Sequence, residues 1–580
     1  MCQIYHIFLF YESGFGIMSN IWQMRLHWFV TLLGQEDVKL LIRIVMLINV
    51  HCAKCIGIEA VPVTVEVNID NGLGVHLVGL ADAAVKESLL RTITALQSMG
   101  FKIPGKKIVI NLAPADMHKK GSGYDVPIAL GIIAASRQRE LPLLDDFIVM
   151  GELGLDGSVR EIPGALPIVE LAAKEGFSGC VLPRVSALEA VEYEGVEVYG
   201  ADTLEDVLKV LSGKEDCGNL LVSGKTFSRC ATIGERGSGR CDMNSDILSS
   251  EDVGLSEFAM MDFSEIVGQD AAKRGVEIAA AGGHNVILIG PPGSGKSSLA
   301  KAMAGILPPM TLSESLQTSK IYSVAGRSRS DGGLIRQRPF RSPHYSASVA
   351  ALIGGGSDNV MPGEVSLAHN GVLFLDEYTE APRKILEALR APMEDRKVTI
   401  SRLKSKVEYP ADFMMVAAAN PCPCGYYGEG NRCTCTPSRR VAHLSKLSGP
   451  MMDRIDIHLF MRAVDSKSLV DRKPAESSAA VAARVLKARE IQKTRFADDG
   501  IFCNAAMNSR MMDRYCLLSP ECRSLLEKLI DRMGLSARAC SRIIKLSRTI
   551  ADLSGLPDIL PDHIAEAAAY RFLDKQNIFE

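Results

Sequence analysis

The motif GPPGSGKS at residues 290–297 constrains the fold of this chain more than any other feature of its sequence. An apolar stretch, NVILI, precedes it at residues 285–289, and a run of helix-forming composition follows at 298–306. A glycine-rich loop between a strand and a helix turns backbone N–H groups inward, at a helix N-terminus that stabilises anions. Lys296 can then reach the outer phosphates of a nucleotide, and the Ser297 hydroxyl can bind Mg²⁺. The order of elements predicts a nucleotide site rather than a simple glycine-rich turn.

Two acids follow the next buried-strand pattern. VLFL at residues 372–375 predicts the strand, and Asp376 and Glu377 stand at its carboxyl end. We predict that Asp376 holds Mg²⁺ through water and that Glu377 polarises the water that attacks ATP. Acids also begin many helices, which would be an adequate explanation if the motif stood alone. Its position downstream of the glycine-rich loop favours catalysis.

A third apolar stretch, MMVAAA at residues 414–419, predicts a strand that ends in Asn420. We expect Asn420 to help position the lytic water, although an Asn before Pro421 can also simply form a turn. The three strands together predict a P-loop ATPase core with ATP and Mg²⁺ as cofactors. The predicted nucleotide-binding residues of the loop are Gly290, Pro291, Pro292, Gly293, Ser294, Gly295, Lys296, Ser297 and Ser298.

The ordered motifs resemble the magnesium-chelatase-like AAA+ ATPases of the ComM/YifB family. The resemblance rests on GPPGSGKS, PGEVSLAHNGVLFLDE, VAAANPCPCG and SGPMMDRIDIH in the second half, and on GLADAAVKES, NLAPAD and GELGLDGSVREIPGALP in the first. It extends from about residue 46 to the end, apart from one linker. It implies an α/β fold with a Lon-protease-like (ribosomal S5 domain 2-like) N-terminal domain, a P-loop AAA+ core with a parallel sheet, and a C-terminal helical lid.

The same resemblance implies roles for four further residues. Arg454, in MMDRIDIH, occupies the position of an arginine finger, which would contact the γ-phosphate of a neighbouring subunit. Arg538 matches the sensor-2 arginine of the lid, and Val267 and Gly268 match the contact with adenine. The alternatives are a surface Arg454 paired with Asp453 and Asp456, and an ordinary exposed helix arginine at 538. A finger acting between subunits implies a ring, and the family implies a hexamer.

Composition and patterning divide the chain into five segments, which are residues 1–45, 46–213, 214–260, 261–465 and 466–580. We interpret the first as an upstream extension from a misassigned start codon, with Met46 as the true first residue, because it holds neither signal-peptide features nor the roughly 20 apolar residues of a membrane span. The second alternates strand and helix patterns. The third, rich in Gly and Ser, is interpreted as a flexible linker, with a small irregular subdomain as the alternative. The fourth carries the motifs, and the fifth is predicted to be helical.

The N-terminal segment departs from an active Lon protease, which uses a serine and a lysine. Gly123 stands at the serine position, with Ser122 one residue earlier, and Leu166 stands at the lysine position. A leucine can neither lower the pKa of a serine nor accept its proton. We therefore interpret this domain as a binding or assembly module.

Four of the 15 cysteines cluster in the sequence, in two C-x-C pairs: Cys422, Cys424, Cys433 and Cys435. Four thiolates on a short loop can satisfy tetrahedral Zn²⁺. The tight spacing leaves free thiols in a Gly- and Pro-rich loop as the alternative. The other cysteines are scattered, which together with the lack of a secretion signal predicts a reducing, cytoplasmic location and no membrane partner.

The net charge of −3 does not by itself require a nucleic-acid partner, so that partner is inferred from local groups of cations. Six basic residues and one acid lie between positions 320 and 344, and Arg402, Lys404 and Lys406 lie in a predicted hairpin. Such hairpins in the chelatase clade point toward the ring pore, where they could follow DNA phosphates without reading sequence. Each group could instead be a solvated surface loop.

These observations predict a hexameric ATP-driven motor acting on single-stranded or branched DNA, and the resemblance implies a branch-migration helicase that acts in natural transformation. Two other functions stay open. One is a metal-insertion motor like the ATPase subunit of magnesium chelatase, and the other is a protein-remodelling ATPase or scaffold.

Overall fold

The computed structural model describes residues 47–79, 83–115, 119, 121–214, 217–222, 261–328, 332–356, 360–402, 405–429, 432–447, 451–463 and 475–574. The proposed upstream extension, Met46 and most of the predicted linker lie outside these residues. At the start of that linker, residues 217–222 run along a strand of the N-terminal domain. The Gly200 N–H donates to the Leu220 carbonyl and the Val222 N–H donates to the Val198 carbonyl, each at 2.8 Å.

In its described residues, the N-terminal domain combines two main sheets with five helices. In the second strand, Val63, Val65 and Val67 alternate with more exposed residues and are buried, as expected for a strand with one face on a core. Strands and helices alternate along this segment, as its sequence pattern predicted. The first sheet has the order β1-β2-β4-β3 and the second β5-β8-β9. The strands are β1 (Ile48–Ile56), β2 (Glu59–Asp70), β3 (Val75–Val78), β4 (Lys107–Ala113), β5 (Phe147–Val149), β6 (Glu152–Leu153), β7 (Val159–Arg160), β8 (Gly179–Pro183) and β9 (Glu197–Ala201), and the helices are α1 (Ala83–Ser98), α2 (Asp125–Ala135), α3 (Ala165–Glu175), α4 (Arg184–Ala187) and α5 (Leu204–Ser212).

A five-stranded parallel sheet forms the centre of the second domain. Its order is β11-β14-β17-β10-β18, and every neighbouring pair is parallel. The three central strands are completely buried, as parallel strands covered by helices on both faces must be. The strands are β10 (Val286–Ile289), β11 (Phe340–Arg341), β14 (Val372–Leu375), β17 (Met414–Ala419) and β18 (Ile457–Phe460). The sequence predicted β10, β14 and β17, and the sheet brings their carboxyl ends together.

Helices and two short hairpins surround this sheet. The hairpin expected around the second basic group is confirmed, with Val398 opposite Tyr409. The helices are α6 (Asp270–Gly282), α7 (Lys296–Gly305), α8 (Leu312–Val324), α9 (Val349–Ile353), α10 (Glu364–Leu367), α11 (Arg383–Ala388), α12 (Arg390–Asp395) and α13 (Pro437–Leu444), and the hairpins are β12 (Gly354–Gly355) with β13 (Met361–Pro362) and β15 (Lys397–Arg402) with β16 (Ser405–Pro410).

The C-terminal segment contains helices and no strand within its described residues, 475–574. Ser536 accepts a hydrogen bond from the Ala539 N–H and so caps the helix predicted after it. The apolar side of these helices shares one core with α6 and α7 of the second domain. The helices are α14 (Ser478–Arg495), α15 (Ser509–Tyr515), α16 (Pro520–Met533), α17 (Ala537–Leu553) and α18 (Pro561–Ala569). Among the helices that the structure describes, none combines the length and apolar composition needed to cross a membrane.

The N-terminal domain packs against α8 of the second domain. The Gly164 N–H donates to the Ser323 carbonyl at 3.0 Å, and the Leu166 N–H lies 3.4 Å from the Ser323 hydroxyl. Lys320 on the same helix forms an ion pair with Glu170 of α3. Helix α8, which follows the GPPGSGKS loop and α7 along the chain, is therefore held by the N-terminal domain.

Candidate active site

The GPPGSGKS loop joins β10 to α7, as its sequence predicted. Gly293 and Gly295 have positive φ angles of 77° and 91°, which favour glycine and let the chain turn sharply into the helix. Lys296 is 9% exposed, and its Nζ donates to the carbonyls of Gly290 and Pro291 at 2.7 and 2.9 Å. Burial lowers the pKa of Lys296, and the nearby Asp376 opposes that shift. The Lys296 ammonium group therefore lies at the loop where the phosphates of a nucleotide would bind.

Ser297, the last residue of the GPPGSGKS motif, contacts Asp376, which directly follows β14. The Ser297 hydroxyl donates to Asp376 Oδ2 at 3.0 Å, although the two residues lie on different elements. Two oxygen ligands of this kind at one place fit Mg²⁺, which prefers a few carboxylate and hydroxyl oxygens and keeps several waters. These two residues would therefore hold the metal of a bound nucleotide.

Asn420 and Glu377 follow the strands β17 and β14, which are parallel neighbours in the sheet. Asn420 Oδ1 accepts a hydrogen bond from Lys296 Nζ at 3.2 Å, so the end of β17 contacts the phosphate-binding loop directly. Glu377 is exposed and has a left-handed backbone, with φ 50° and ψ 42°. For a residue other than glycine this conformation is uncommon, and it often marks functional sites.

The turn expected to contact adenine lies beside the loop. Val267 is half-buried, and Gly268 is exposed with φ 65°. The next residue, Gln269, donates through its side-chain amide to the carbonyls of Ser294 and Arg462, at 3.3 and 2.7 Å. Gln269 was not predicted, although it stands in the EIVGQD motif. It ties the turn to the loop and to the segment after β18.

Arg454 lies at the opposite edge of the sheet from the phosphate-binding loop. It precedes β18, whereas the loop follows β10, and these two strands are parallel neighbours. The Arg454 side chain is 8% exposed and forms a 2.6 Å ion pair with Glu394 of α12, whose pKa is lowered by the hydrogen bond. Glu394 was not predicted as its partner, whereas the ion pairs that the structure gives for Asp453 and Asp456 are with other arginines.

Those two aspartates instead bind arginines of the C-terminal helix α17. Arg538 is 68% exposed on its side chain and lies 3.5 Å from Asp453. Arg542 forms an ion pair with the buried Asp456, which holds the pKa of that carboxyl well below its usual range. Arg538 therefore lies at the same edge of the sheet as Arg454, away from the loop of its own chain.

The four clustered cysteines meet in space. Their Sγ atoms all lie within 4.8 Å of one another, and Cys422 is buried whereas Cys424, Cys433 and Cys435 are half-buried. Because one chain segment brings four thiols together, the cluster is compatible with a zinc ion.

The first basic group does not form the open patch that its sequence suggested. Each of its five described cations forms an ion pair with a carboxylate from elsewhere in the chain, and Arg329 lies outside the described residues. The pairs are Lys320–Glu170, Arg327–Glu364, Arg336–Glu192, Arg338–Glu314 and Arg341–Glu364. Two of them join the N-terminal domain to the second domain. The alternative, a solvated surface loop, describes only part of the group, since Arg327 and Arg336 are 49% and 65% exposed whereas Arg338 and Arg341 are only 16% and 17% exposed.

The second basic group is partly described. Lys406 lies on β16 with 69% of its side chain exposed, 3.8 Å from Glu408. Arg402 ends β15, and Lys404 lies outside the described residues. Lys397 also pairs with Glu408, at 3.1 Å, so one carboxylate serves two lysines of the hairpin. The hairpin therefore keeps more positive than negative charge.

The N-terminal domain shows no serine–lysine pair at the two predicted positions. Leu166 is 1% exposed within the core, and a Cβ on Gly123 would lie 3.1 Å from Met150. The Ser122 hydroxyl donates to Glu152. The positions that carry serine and lysine in an active Lon protease are therefore glycine and leucine here.

Comparisons with known proteins follow the same division of the chain. The family described as magnesium chelatase, subunit ChlI, matches residues 262–469, subunit ChlI of Mg-chelatase matches 65–186, and its C-terminal family matches 475–571. Competence protein ComM of Haemophilus influenzae is 41% identical over 527 residues, which are 90% of this chain and 97% of the relative. Protein YifB of Escherichia coli is 40% identical over 531 residues, 91% of this chain and 97% of the relative. DNA repair protein RadA of E. coli is 33% identical over 111 residues, 19% of this chain and 23% of the relative.

Membership of this family supports the conclusion that the chain hydrolyses ATP with Mg²⁺. The structure agrees, because it brings together four residues at one edge of a parallel sheet: Lys296, Ser297, Asp376 and Asn420. The chain is 41% and 40% identical to ComM and YifB over 97% of each relative, and this similarity establishes its family. The chain belongs to the magnesium-chelatase-like ComM/YifB family of AAA+ ATPases.

Proposed function

We propose that this chain is an ATP-driven DNA motor, namely a branch-migration helicase that works as a ring. One observation carries the proposal: the residues suited to bind and hydrolyse ATP lie at one edge of the parallel sheet, and two arginines suited to stabilise its transition state lie at the other. A single chain therefore has both halves of an ATPase site but holds them apart.

Nucleotide binding and water activation in this proposal use groups of a single chain. The loop N–H groups and Lys296 bind the β- and γ-phosphates, and Asn420 and Glu377 orient and activate the attacking water. Ser297 and Asp376 would hold Mg²⁺, which would supply positive charge to neutralise the phosphates. The Val267–Gly268 turn lies beside the loop, where it can contact the base.

Assembly supplies the other half. Arg454 and Arg538 would reach the γ-phosphate bound by a neighbouring copy, since a finger acts by stabilising the charge that develops during phosphoryl transfer. Arg454 would exchange its pairing with Glu394 for that phosphate. We propose a hexamer, in which each copy gives one edge of its sheet to the next, with the C-terminal helices as its lid and the Lon-protease-like N-terminal domain as a binding or assembly module.

DNA is the proposed partner for three reasons. The β15–β16 hairpin keeps an excess of positive charge, ComM is named as a competence protein, and RadA is named as a DNA repair protein. Cations on a hairpin in a ring pore would contact phosphates without reading bases, which suits movement along DNA of any sequence.

The decisive experiment measures ATP hydrolysis by the purified chain alone, with single-stranded DNA and with a branched junction. We expect DNA to raise the rate and the junction to be converted into separated products. Hydrolysis that ignores both DNA forms would leave an ATPase and remove the helicase. Stimulation by a porphyrin-binding partner would then favour a metal-insertion motor, an alternative that the match to magnesium chelatase supports. Stimulation by an unfolded protein would favour a protein-remodelling ATPase.

A further inference from the structure

The four-cysteine cluster has the dimensions of a single tetrahedral metal site. Zn²⁺ holds four thiolates at about 2.3 Å, which separates neighbouring sulfurs by about 3.8 Å. The Sγ of Cys422 lies 3.3 Å from that of Cys424 and 3.8 Å from that of Cys433, and Cys424 lies 3.7 Å from Cys433. The fourth thiol, Cys435, lies within 4.8 Å of all of them. One ion would need only small shifts of these sulfurs.

Other uses of four thiols fit less well. A disulfide requires two sulfurs about 2.05 Å apart, and all four cysteines are free. A cluster of several iron ions would spread its ligands further than one ion does, which disagrees with six separations of 4.8 Å or less. A tetrahedral set of four sulfurs is typical of zinc. A single iron has the same geometry, so metal analysis must separate these two ions.

The loop that carries the cysteines rests directly on the phosphate-binding loop. Cys422 follows Asn420 by two residues, and Gly425 has φ 85°. A Cβ on Gly425 would lie 2.7 Å from Pro292 Cδ, so the two loops touch at a point where only glycine fits. At its far end the cysteine loop leads into α13, where His443 Nε2 lies 3.0 Å from the Asn420 carbonyl. The cysteine loop therefore frames Asn420 between the phosphate-binding loop and α13.

We propose that Cys422, Cys424, Cys433 and Cys435 bind one structural Zn²⁺, which fixes this loop against the phosphate-binding loop and so holds Asn420 in its catalytic position. A zinc ion held by four thiolates would tie Cys422 to Cys435 and so reduce the conformational freedom of the loop between them. Displacing a catalytic group by about 1 Å commonly costs about 10²-fold in rate. The effect on hydrolysis rests on the proposed ATPase function, whereas the metal content does not.

Metal analysis of the intact chain tests the site first. We expect about one zinc per chain, near zero for Cys433→Ser/Cys435→Ser, and about one again for Cys217→Ser, a cysteine outside the cluster. Cys435→His should keep the metal, because three cysteines and one histidine also form a zinc site. Absence of metal from wild type, together with failure to take up added Zn²⁺, would overturn the site, and one iron in its place would overturn the assignment to zinc.

Two glycines of the same loop test the coupling. Gly425→Ala should keep its zinc and lower kcat roughly 10–100-fold, because the new methyl group pushes the loop off Pro292. Gly428→Ala is the matched control: it has a similar φ of 95°, but a Cβ there meets only Phe460, at 3.6 Å. Equal activity of the two variants would overturn the coupling.

Reversible removal of zinc from wild type tests the coupling between zinc and kcat even if the serine variants fail to fold. Wild type treated with a chelator should lose zinc and kcat together and regain both when Zn²⁺ is added back. Metal-free wild type with unchanged kcat would overturn the coupling. A wild type that holds zinc but never hydrolyses ATP would refute the ATPase proposal and leave the metal site standing.

Discussion

Asn285 donates a hydrogen bond from its side-chain amide to the main-chain oxygen of Arg454, at 3.0 Å. Its Oδ1 accepts from the Met415 N–H at 2.8 Å, and its backbone oxygen accepts from the Ile457 N–H at 3.0 Å. Asn285 thus joins the starts of three neighbouring strands to the turn that carries Arg454. Because β10 ends in the phosphate-binding loop, a strand of four residues, about 13 Å, separates that loop from Arg454. A finger at this edge requires a second copy of the chain.

The first prediction concerns the ATPase residues. Lys296→Ala should abolish ATP turnover, because it removes the ammonium group from the loop. Glu377→Gln should keep ATP bound but lower kcat by about 10²–10⁴, the usual loss when a group that activates water is removed. Nucleotide affinity and steady-state hydrolysis measure these effects separately. Near-normal hydrolysis by Glu377→Gln would remove this residue from its assigned role.

The second prediction concerns Arg454. Arg454→Ala should lower kcat by about 10³ or more with little change in nucleotide affinity, as expected for a group that acts in the transition state. Mixing it with Glu377→Gln should restore part of the activity, because a mixed ring contains some interfaces with both groups intact. Co-assembly must be shown by gel filtration of the mixture. Assembled mixtures without activity would argue against action between subunits.

A third prediction uses the buried pair of Asp456 and Arg542. Asp456→Asn leaves the arginine charge without its counter-ion and should lower the free energy of unfolding by about 3 kcal/mol near pH 7. The folded pKa of Asp456 lies below its unfolded value, so its stabilisation is complete above the unfolded pKa of about 3.9 and is lost as pH falls further. The difference between wild type and variant should therefore shrink below about pH 4.

Asp453 in the same turn supplies the control for that measurement. It is 44% exposed, and its ion pair with Arg538 is a surface pair, worth less than about 1 kcal/mol. Denaturant unfolding of Asp453→Asn should differ little from wild type at any pH. If both variants lose the same stability, burial of Asp456 is not the cause.

The sequence predicted features that are local in the chain. A strand, a glycine-rich loop and a helix can be recognised within about twenty residues, and the ends of β10, β14 and β17 meet because parallel strands share an edge. Ion-pair partners from distant segments of the chain carry no comparable local sequence pattern. Glu394 carries no mark that it will pair with Arg454, and the carboxylates of Glu314 and Glu364 neutralise Arg338 and Arg341 only after folding. Counting charges along the sequence therefore overestimated the unpaired positive charge of the first basic group.

The last prediction decides whether the hairpin binds DNA. Replacing Arg402, Lys404 and Lys406 with Ala should weaken DNA binding for all sequences. Each phosphate that the variant no longer neutralises should reduce the slope of log affinity against log salt by about 0.7–0.9. The hairpin lies outside the ATPase groups, so ATP hydrolysis without DNA should be unchanged, whereas DNA stimulation and strand separation should fall together.

Arg336→Ala is the matched control, since it also removes an exposed cation, 65% exposed on its side chain, but one already paired with Glu192. If the hairpin follows DNA phosphates, the control should keep the wild-type salt dependence and only the triple variant should change it. Equal changes in both would mean that DNA senses overall charge rather than this hairpin. An unchanged triple variant would return the hairpin to a solvated surface loop. Measuring binding at several salt concentrations, with hydrolysis measured in parallel with and without DNA, distinguishes these outcomes, because only a hairpin that touches DNA couples the salt slope to the stimulated rate.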